Sequence, residues 1–135
     1  MYTFPKQEHL YGKKNIESLM SNGSSFLTYP LRVVFCTADD DELVPVRVMV
    51  SVSKKRFKLA VKRNRIKRLT REAYRLNKHT IVSFAIKNNL KLHIAFQYVA
   101  TEIETYDKID EKMKTAIKKI IQNLGKNDES DKKSN

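Results

Sequence analysis

The chain has 135 residues, a length that fits one domain, and it carries 27 lysine and arginine residues against 15 acids, a formal net charge of +12. This balance favours a polyanionic partner, either nucleic acid or an anionic membrane surface. With one cysteine, Cys36, no apolar run of membrane-spanning length and no signal-peptide core, the sequence excludes an internal disulfide and a multi-cysteine zinc site, and we expect a cytoplasmic protein.

The N-terminal part of the chain predicts a short helix. Ile16, Leu19 and Met20 are three and four residues apart, so they share one helical face. The pair Asn22 and Gly23 follows and predicts the end of the helix and a turn. We therefore expect a first helix with a small apolar side.

Two strands are predicted next. The segment 31–36, LRVVFC, is rich in β-branched and aromatic residues. In the segment 44–53, VPVRVMVSVS, valines on one face alternate with Arg47, Met49, Ser51 and Ser53 on the other. The valine face is predicted to lie in the core, and the other face to be partly covered or to contact a ligand. The acids 39–42 between these strands predict a hairpin loop.

The rest of the chain predicts three helical segments and one more strand. A basic helix is predicted over 57–77 and a second helical piece over 80–88, and the alternating segment 91–100 predicts a strand. An amphipathic helix is predicted between Thr105, as N-cap, and Gly125, as the residue after its end. Residues 126–135 contain no apolar residue and are predicted to be a disordered tail.

The order helix, strands, long helix, strand, helix predicts an α+β fold in which helices pack on a small sheet. We expect this sheet to have four strands, in the order α-β-β-β-α-β-α. The region 1–125 is expected to form one α+β domain. The strands of 44–53 and 91–100 flank the basic helix, which makes that helix the crossover between them.

The basic helix has two contrasting faces. Its predicted core side contains Leu59, Ile66, Leu69, Ala73 and Leu76. Its opposite arc contains Arg63, Asn64, Lys67, Arg68, Arg71 and Arg75. Like charges at these spacings destabilise a helix, and a surface built for solubility would interleave acids. Residues 54–75 instead hold eleven bases and one acid, a local +10, which is the pattern of a binding surface.

This concentration of positive charge has several possible explanations. A solvated face is the simplest alternative, but arginine dominates here and its planar guanidinium suits phosphate oxygens and base edges. A membrane-surface helix would need a broad apolar face with aromatic residues. A helix-turn-helix would need a short helix and turn where the sequence has the strand exit VSVSKKRF. Nucleic-acid binding is therefore favoured, with Asn64 able to donate and accept towards a base or a 2′-hydroxyl.

The stretch SVSKKRFKLAVKRNRIKRLTREAYRLNK, 51–78, resembles the protein component of bacterial ribonuclease P, the ribonucleoprotein that cuts the 5′ leader from precursor tRNA. The motif Arg63-Asn64-Arg65 followed by IKRLTRE carries the resemblance, together with the Ser-x-Ser-Lys-Lys before it. The order of elements agrees over 10–124. The resemblance implies a left-handed crossover by the basic helix. It also implies that the RNA subunit with bound magnesium is the catalyst, with one protein per RNA.

The resemblance also implies site residues. RNA contacts are implied at Lys54, Lys55, Lys62, Arg63, Asn64, Arg65, Lys67, Arg68, Arg71 and Arg75. A leader cleft between the first helix and the sheet is implied at Ile16, Met20, Met49, Ser51 and Ser53. The family typically has phenylalanine where this chain has Ile16 and Met20, so these two residues either contact the leader without ring stacking or only pack in the core.

The sequence suggests no catalytic constellation in the protein itself. The histidines His9, His79 and His93 are not near one another or near a carboxylate at ligand spacing. The acids 39–42 leave a bound divalent ion open, but such a run at a loop tip is more commonly solvated. We expect the protein alone to cut nothing. The main rival is a general basic RNA-binding module, for example a ribosome-associated one, and a self-sufficient nuclease is least favoured.

Overall fold

The computed structural model describes the backbone of residues 4–134 and the side chains of residues 4–125. A short 3-10 turn at Lys6–Glu8 precedes the main elements. The helices are α1 (Lys13–Asn22), α2 (Ala60–Lys87) and α3 (Tyr106–Ser134). The strands are β1 (Ser24–Thr28), β2 (Leu31–Thr37), β3 (Val46–Val52) and β4 (Leu92–Tyr98). The predicted α+β class and the order α-β-β-β-α-β-α are confirmed.

The sheet has the strand order β1-β2-β4-β3. Strand β4 pairs antiparallel with β2 and parallel with β3, and α2 provides the crossover that parallel neighbours require. The predicted hairpin between β2 and β3 is wrong, because β4 lies between these strands. The left-handed sense of the crossover stays a prediction from the resemblance.

The two faces of the sheet carry two cores of different size. The larger core joins the valine face of β3 and alternate residues of β2 and β4 to α2 and α3, and it includes Val48, Phe96, Ile66 and Ile109. The smaller core lies on the opposite face, beneath α1, and contains Leu10, Leu19, Val34 and Ala95. The cationic side of α2 and the cleft under α1 therefore belong to opposite sides of the sheet.

Helix α2 is one continuous helix, so the predicted break near Lys78 is wrong. The Asn77 amide lies at this point, where it donates to Ala73 O and to Asp110 Oδ1 of α3, both at 2.7 Å. The helix ends before Asn89, which adopts a positive φ of 55°. Contacts with α3 thus stabilise helical backbone across the predicted junction.

The buried face of α2 is rotated from the predicted one. Its buried residues are Ile66, Thr70, Ala73, Tyr74, Ile81 and Ala85. Leu59 and Leu76, predicted to face the core, are 62% and 38% exposed. Leu59 precedes the helix in extended backbone, and Leu76 lies beyond the edge of a face centred near Thr70 and Tyr74. The Thr70 hydroxyl can be buried because it donates to Ile66 O at 2.8 Å.

The last helix begins as predicted and continues further. The Lys108 N–H donates to Thr105 Oγ1 at 3.3 Å, which confirms Thr105 as a cap. The helix runs past Gly125 to Ser134. The side chains of 126–135 lie outside the described residues, so the predicted disorder of this segment stays a prediction. Of the helices described, none has the length and apolarity needed to cross a membrane.

Candidate nucleic-acid interface

The cationic arc of α2 lies on the surface, away from the sheet. Lys62, Asn64, Arg65, Arg68 and Arg71 are exposed, and Arg63, Lys67 and Arg75 are partly buried. Lys54 and Lys55 are exposed in the turn that leaves β3. All ten residues predicted to bind RNA therefore lie on α2 or on the turn leading into it.

A shallow groove of about 510 Å³ runs along this arc. Its lining is Phe4, Asn64, Arg68, Arg71, Glu72 and Arg75. The groove is open and combines guanidinium groups with one amide and one aromatic ring. These groups suit an extended anion with planar bases.

One ion pair moderates the charge of this groove. Arg75 Nε donates to Glu72 Oε2 at 3.0 Å, and Arg75 Nη2 also donates to Glu72 Oε1. The hydrogen bonds from Arg75 hold the pKa of Glu72 below its ordinary value. The single acid of the basic segment is therefore paired with Arg75, and the guanidinium groups of Arg68 and Arg71 lie beside the pair.

Arg63 has a structural role that the motif did not reveal. Its Nη1 donates to Phe57 O at 2.7 Å and to Lys58 O at 2.8 Å. These bonds hold the segment before α2 against the first turn of the helix, where Leu59 provides no side-chain cap. Arg63 thus positions the basic turn that includes Lys55.

The N-terminal segment shapes the groove, and sequence reasoning missed it. The Leu10 N–H donates to Val48 O at 2.9 Å, so the segment extends the edge of β3. Glu8 Oε1 accepts from Lys78 Nζ of α2 at 2.7 Å. The Phe4 ring packs 4.1 Å from the His9 ring, between centroids, and so reaches the groove wall. The sequence feature that could have revealed this segment is the aromatic residue Phe4.

The five residues predicted to form a leader cleft divide into two groups. Ile16 and Met49 are half-buried and pack against the smaller core. Met20 is 41% exposed, and Ser51 and Ser53 are partly exposed. The two serines line a depression of about 340 Å³ whose other residues include Arg32, Arg56 and Gln97. Sequence reasoning missed these three, although the alternation in β2 and β4 could have placed Arg32 and Gln97 on this face.

The acidic run 39–42 is not uniformly solvated. Asp39, Asp40 and Asp41 are exposed, whereas Glu42 is largely buried. Glu42 Oε1 accepts from Arg47 Nε at 2.5 Å. Glu42 Oε2 lies 2.8 Å from His93 Nε2.

Glu42 is thereby a structural carboxylate. Burial acts to raise the pKa of Glu42, but the hydrogen bonds with His93 and Arg47 outweigh burial and hold it below the ordinary value. Within the described side chains, no group of three or more histidines, cysteines or acids is arranged to hold a metal ion.

The chain is similar in sequence to a protein family and to individual proteins that carry the same family name. The protein family described as Ribonuclease P matches residues 4–121. The Ribonuclease P protein component of Porphyromonas gingivalis is 39% identical over 119 residues, 88% of this chain and 87% of the relative. The component of Chlorobaculum tepidum is 33% identical over 128 residues, 88% of this chain and 83% of the relative.

Solved structures show the same fold. The RNase P protein of Staphylococcus aureus has a TM-score of 0.65 at 24% identity, covering 82% of this chain and 93% of that one. The RNase P protein of Thermotoga maritima has a TM-score of 0.67 at 21% identity, covering 83% of this chain and 96% of that one. At these identities the likeness establishes the architecture.

Proposed function

The chain belongs to the ribonuclease P protein family, and on this premise we propose that it is the protein subunit of the ribonucleoprotein that removes the 5′ leader from precursor tRNA. The observation that carries the proposal is the exposed basic surface of α2, which carries Arg68 and Arg71 of the arc together with Arg65. A surface of this charge repels itself unless a polyanion lies against it. RNA supplies that polyanion.

The arc of α2 is proposed to dock on the catalytic RNA of the particle. Arg65, Arg68 and Arg71 neutralise phosphates, and Asn64 contacts a base edge or a 2′-hydroxyl. Arg63 takes part less directly, because its guanidinium also holds the carbonyls of Phe57 and Lys58. Lys54, Lys55, Lys62, Lys67 and Arg75 complete the proposed contact surface.

The cleft beside α1 is proposed to hold the leader of the precursor tRNA. Met20, Ser51 and Ser53 are accessible there, whereas Ile16 and Met49 contribute chiefly to the smaller core. Without a phenylalanine at positions 16 and 20, the protein makes apolar and polar contacts where ring stacking would add about 1–3 kcal/mol per base. Leader binding is then mainly electrostatic.

The chemistry is proposed to belong to the RNA subunit. Magnesium bound by that RNA would supply the activated water and would stabilise the leaving group. The protein lowers the magnesium demand by neutralising phosphates, with one protein bound per RNA. The particle is proposed to act in the cytoplasm.

Reconstitution at low magnesium tests the proposal. Purified protein is added to a bacterial ribonuclease P RNA and a precursor tRNA with a leader. We expect cleavage at the mature 5′ end that requires both protein and RNA. A variant with Arg65, Arg68 and Arg71 all changed to alanine should lose this stimulation. The matched control changes Lys108, Lys114 and Lys118 of α3 to alanine. This variant loses the same charge from another surface and should still stimulate cleavage.

The general RNA-binding module is the alternative that this experiment separates. Such a protein would bind unrelated RNAs tightly and leave the rate of 5′ cleavage unchanged. Cleavage by the protein without RNA would instead support the self-sufficient nuclease. Either result would overturn the proposed function.

A further inference from the structure

The segment 4–10, which we call the N-terminal strap, is fixed along the outer edge of the sheet. The Leu10 N–H donates to Val48 O at 2.9 Å, as part of a short parallel pairing with β3. Closer to the start of the chain, Arg47 Nη1 donates to Gln7 O at 2.5 Å. The strap is therefore tied to β3 at two separate points.

Helix α2 holds the strap from another side. Glu8 Oε1 accepts from Lys78 Nζ at 2.7 Å, and both side chains are largely buried. The Phe4 ring lies 5.3 Å from the Tyr74 ring of α2, between centroids, with 66° between the ring planes. The His9 ring lies 4.1 Å from Phe4, with 31° between the planes. Contacts with both α2 and β3 thus give the rings of Phe4 and His9 a defined position.

The strap covers only part of the outer edge of β3. Pro45 O accepts from the Leu92 N–H of β4, whereas Val48 O accepts from the strap. Successive residues of a strand present their backbone N–H and C=O groups to opposite sides, so Val50 presents its groups to the same outer edge as Val48. The strap leaves this edge after Leu10, where the chain continues towards α1. Val50 therefore lies beyond the part of the edge that the strap pairs with.

A pocket of about 180 Å³, which we call the strap pocket, lies at this point. Phe4 and His9 form its aromatic side, Val48 and Val50 contribute the edge of β3, and Arg71 of α2 also lines it. A cavity of about 150 Å³ accommodates a benzene ring. The strap pocket therefore has room for one six-membered ring, beside aromatic groups, strand backbone and a guanidinium group.

The strap pocket adjoins the groove of α2. Phe4 and Arg71 line both of them, and the groove continues along Asn64, Arg68 and Arg75. An RNA backbone that follows the cations of the groove passes the mouth of the strap pocket. The two spaces match the two parts of a nucleotide, because the groove offers cations to the phosphate and the pocket offers rings to the base.

From this arrangement we propose that one unpaired pyrimidine of the catalytic RNA places its base in the strap pocket, between Phe4 and the edge of β3, while Arg71 binds the adjoining phosphate. This inference rests on the proposed function and adds a base-binding site to its RNA interface. The base must be unpaired, because bases inside an A-form helix are not accessible to such a pocket. The space for one ring favours a pyrimidine over a purine. The catalytic RNA is the source because the strap pocket adjoins the groove proposed to dock on it.

The residues around the strap pocket have different roles in this proposal. Phe4 provides the ring on which the base stacks. The backbone N–H and C=O of Val50 donate to and accept from the edge of the base. Glu8 and Lys78 are positioning residues, because their ion pair holds the strap, and with it Phe4, against α2.

Phe4→Leu tests the stacking contact. This substitution keeps an apolar side chain on the strap and removes the ring, so the affinity for ribonuclease P RNA should fall by about fivefold, the lower end of the effect of one base–ring stack. No charge is lost, so the slope of log affinity against log salt should stay the same. Phe4→Tyr keeps the ring and should retain the affinity.

The matched control is Phe84→Leu. Phe84 is a partly buried aromatic residue that packs against the larger core near the other end of α2. Its replacement makes the same chemical change away from the strap pocket and should leave the affinity for RNA unchanged. Urea unfolding of Phe4→Leu and Phe84→Leu verifies that both variants are folded.

Crosslinking identifies the nucleotide. Gln7 has an exposed side chain and contacts Arg47 only through its main-chain carbonyl, so Gln7→Cys retains that contact. In a Cys36→Ala background whose cleavage activity has been verified, this thiol carries a photoactivatable crosslinker. The particle is assembled with ribonuclease P RNA and precursor tRNA. We expect the main crosslink at an unpaired pyrimidine of the ribonuclease P RNA.

An abasic substitution at the crosslinked nucleotide completes the test and requires no change in the protein. It should weaken binding of the unaltered protein by about the same factor as Phe4→Leu. Combined with Phe4→Leu it should cause no further loss, because both changes remove the same contact.

Unchanged affinity of Phe4→Leu, an equal loss in Phe84→Leu, or additive effects of Phe4→Leu and the abasic substitution would overturn the inference. So would the absence of a crosslink, or a main crosslink at a purine, at a paired nucleotide or in the precursor tRNA. Absence of cleavage stimulated by the unaltered protein would instead count against the proposed function itself.

Discussion

Glu42 Oε2 lies 2.8 Å from His93 Nε2, which joins the acidic loop after β2 to strand β4. The same carboxylate accepts from Arg47 of β3, so it connects both members of the parallel strand pair at one end. The side chains of Glu42, Arg47 and His93 are 11%, 14% and 9% exposed, so water competes little for these bonds. Glu42 therefore holds the acidic loop against β3 and β4.

Glu42→Gln is expected to destabilise the fold in a pH-dependent way. The pKa of Glu42 is lowered in the folded state, so its stabilisation is present above the unfolded-state pKa, about 4.3, and is lost as pH falls through the lower folded-state pKa. We expect the free energy of unfolding to fall by about 1–3 kcal/mol at pH 7, with a smaller difference in acid. Urea unfolding at several pH values measures this. Asp40→Asn, an exposed neighbour, is the control, and a pH-independent loss for Glu42→Gln would contradict the assignment.

Gly23→Ala is expected to disturb the junction between α1 and the sheet. An added Cβ would lie 2.5 Å from Leu19 O and 2.8 Å from Val34 Cγ1, so backbone must shift. We expect a loss of about 1–3 kcal/mol, as for overpacking, measured as a lower urea midpoint. Gly125→Ala is the matched control, because its Cβ meets nothing within 4 Å, and it should be neutral or stabilising. Equal effects of the two substitutions would refute the steric explanation.

Arg63→Ala and Arg65→Ala are expected to differ in their effect on fold stability, although both remove one charge from the same motif. Arg63 Nη1 holds the carbonyls of Phe57 and Lys58, so its loss should destabilise the fold by about 1 kcal/mol and loosen the turn before α2. Arg65 is exposed, and its replacement should leave stability unchanged. Thermal unfolding and amide exchange at Lys58 and Leu59 measure the difference. Equal stability of the two variants would show that the carbonyl contacts contribute nothing.

The sequence predicted those parts of the fold that depend on local periodicity. The strand containing Val48 was predicted because its alternation has period two, and the last helix because Thr105 caps an amphipathic segment. The pairing of strands that are far apart in the sequence produces no periodic pattern of this kind. A hairpin between β2 and β3 was expected because neighbours in sequence often pair, and nothing local shows β4 between them.

The candidate site was predictable to a similar extent. The arc containing Arg68 follows from helical spacing alone. The burial of Glu42 does not, because its partner His93 lies 51 residues away in sequence. The apolar pattern alone predicts the wrong buried face for α2, because Thr70 and Tyr74 lie in the core and the hydroxyl of Thr70 is satisfied within the helix. Polar residues that satisfy their own hydrogen bonds are invisible to a purely apolar pattern.

Arg68→Ala is expected to remove one phosphate contact without affecting the fold. Arg68 is exposed beside the Glu72–Arg75 pair in the α2 groove, and RNA bound there releases counterions from each neutralised phosphate. The slope of log affinity against log salt should therefore decrease in magnitude by about 0.7–0.9, measured by titrating ribonuclease P RNA at several salt concentrations. Lys118→Ala removes the same charge from an exposed position on α3 and should leave the slope unchanged. A slope altered equally by both variants would mean that the RNA responds to net charge, and an unaltered slope for Arg68→Ala would remove Arg68 from the interface.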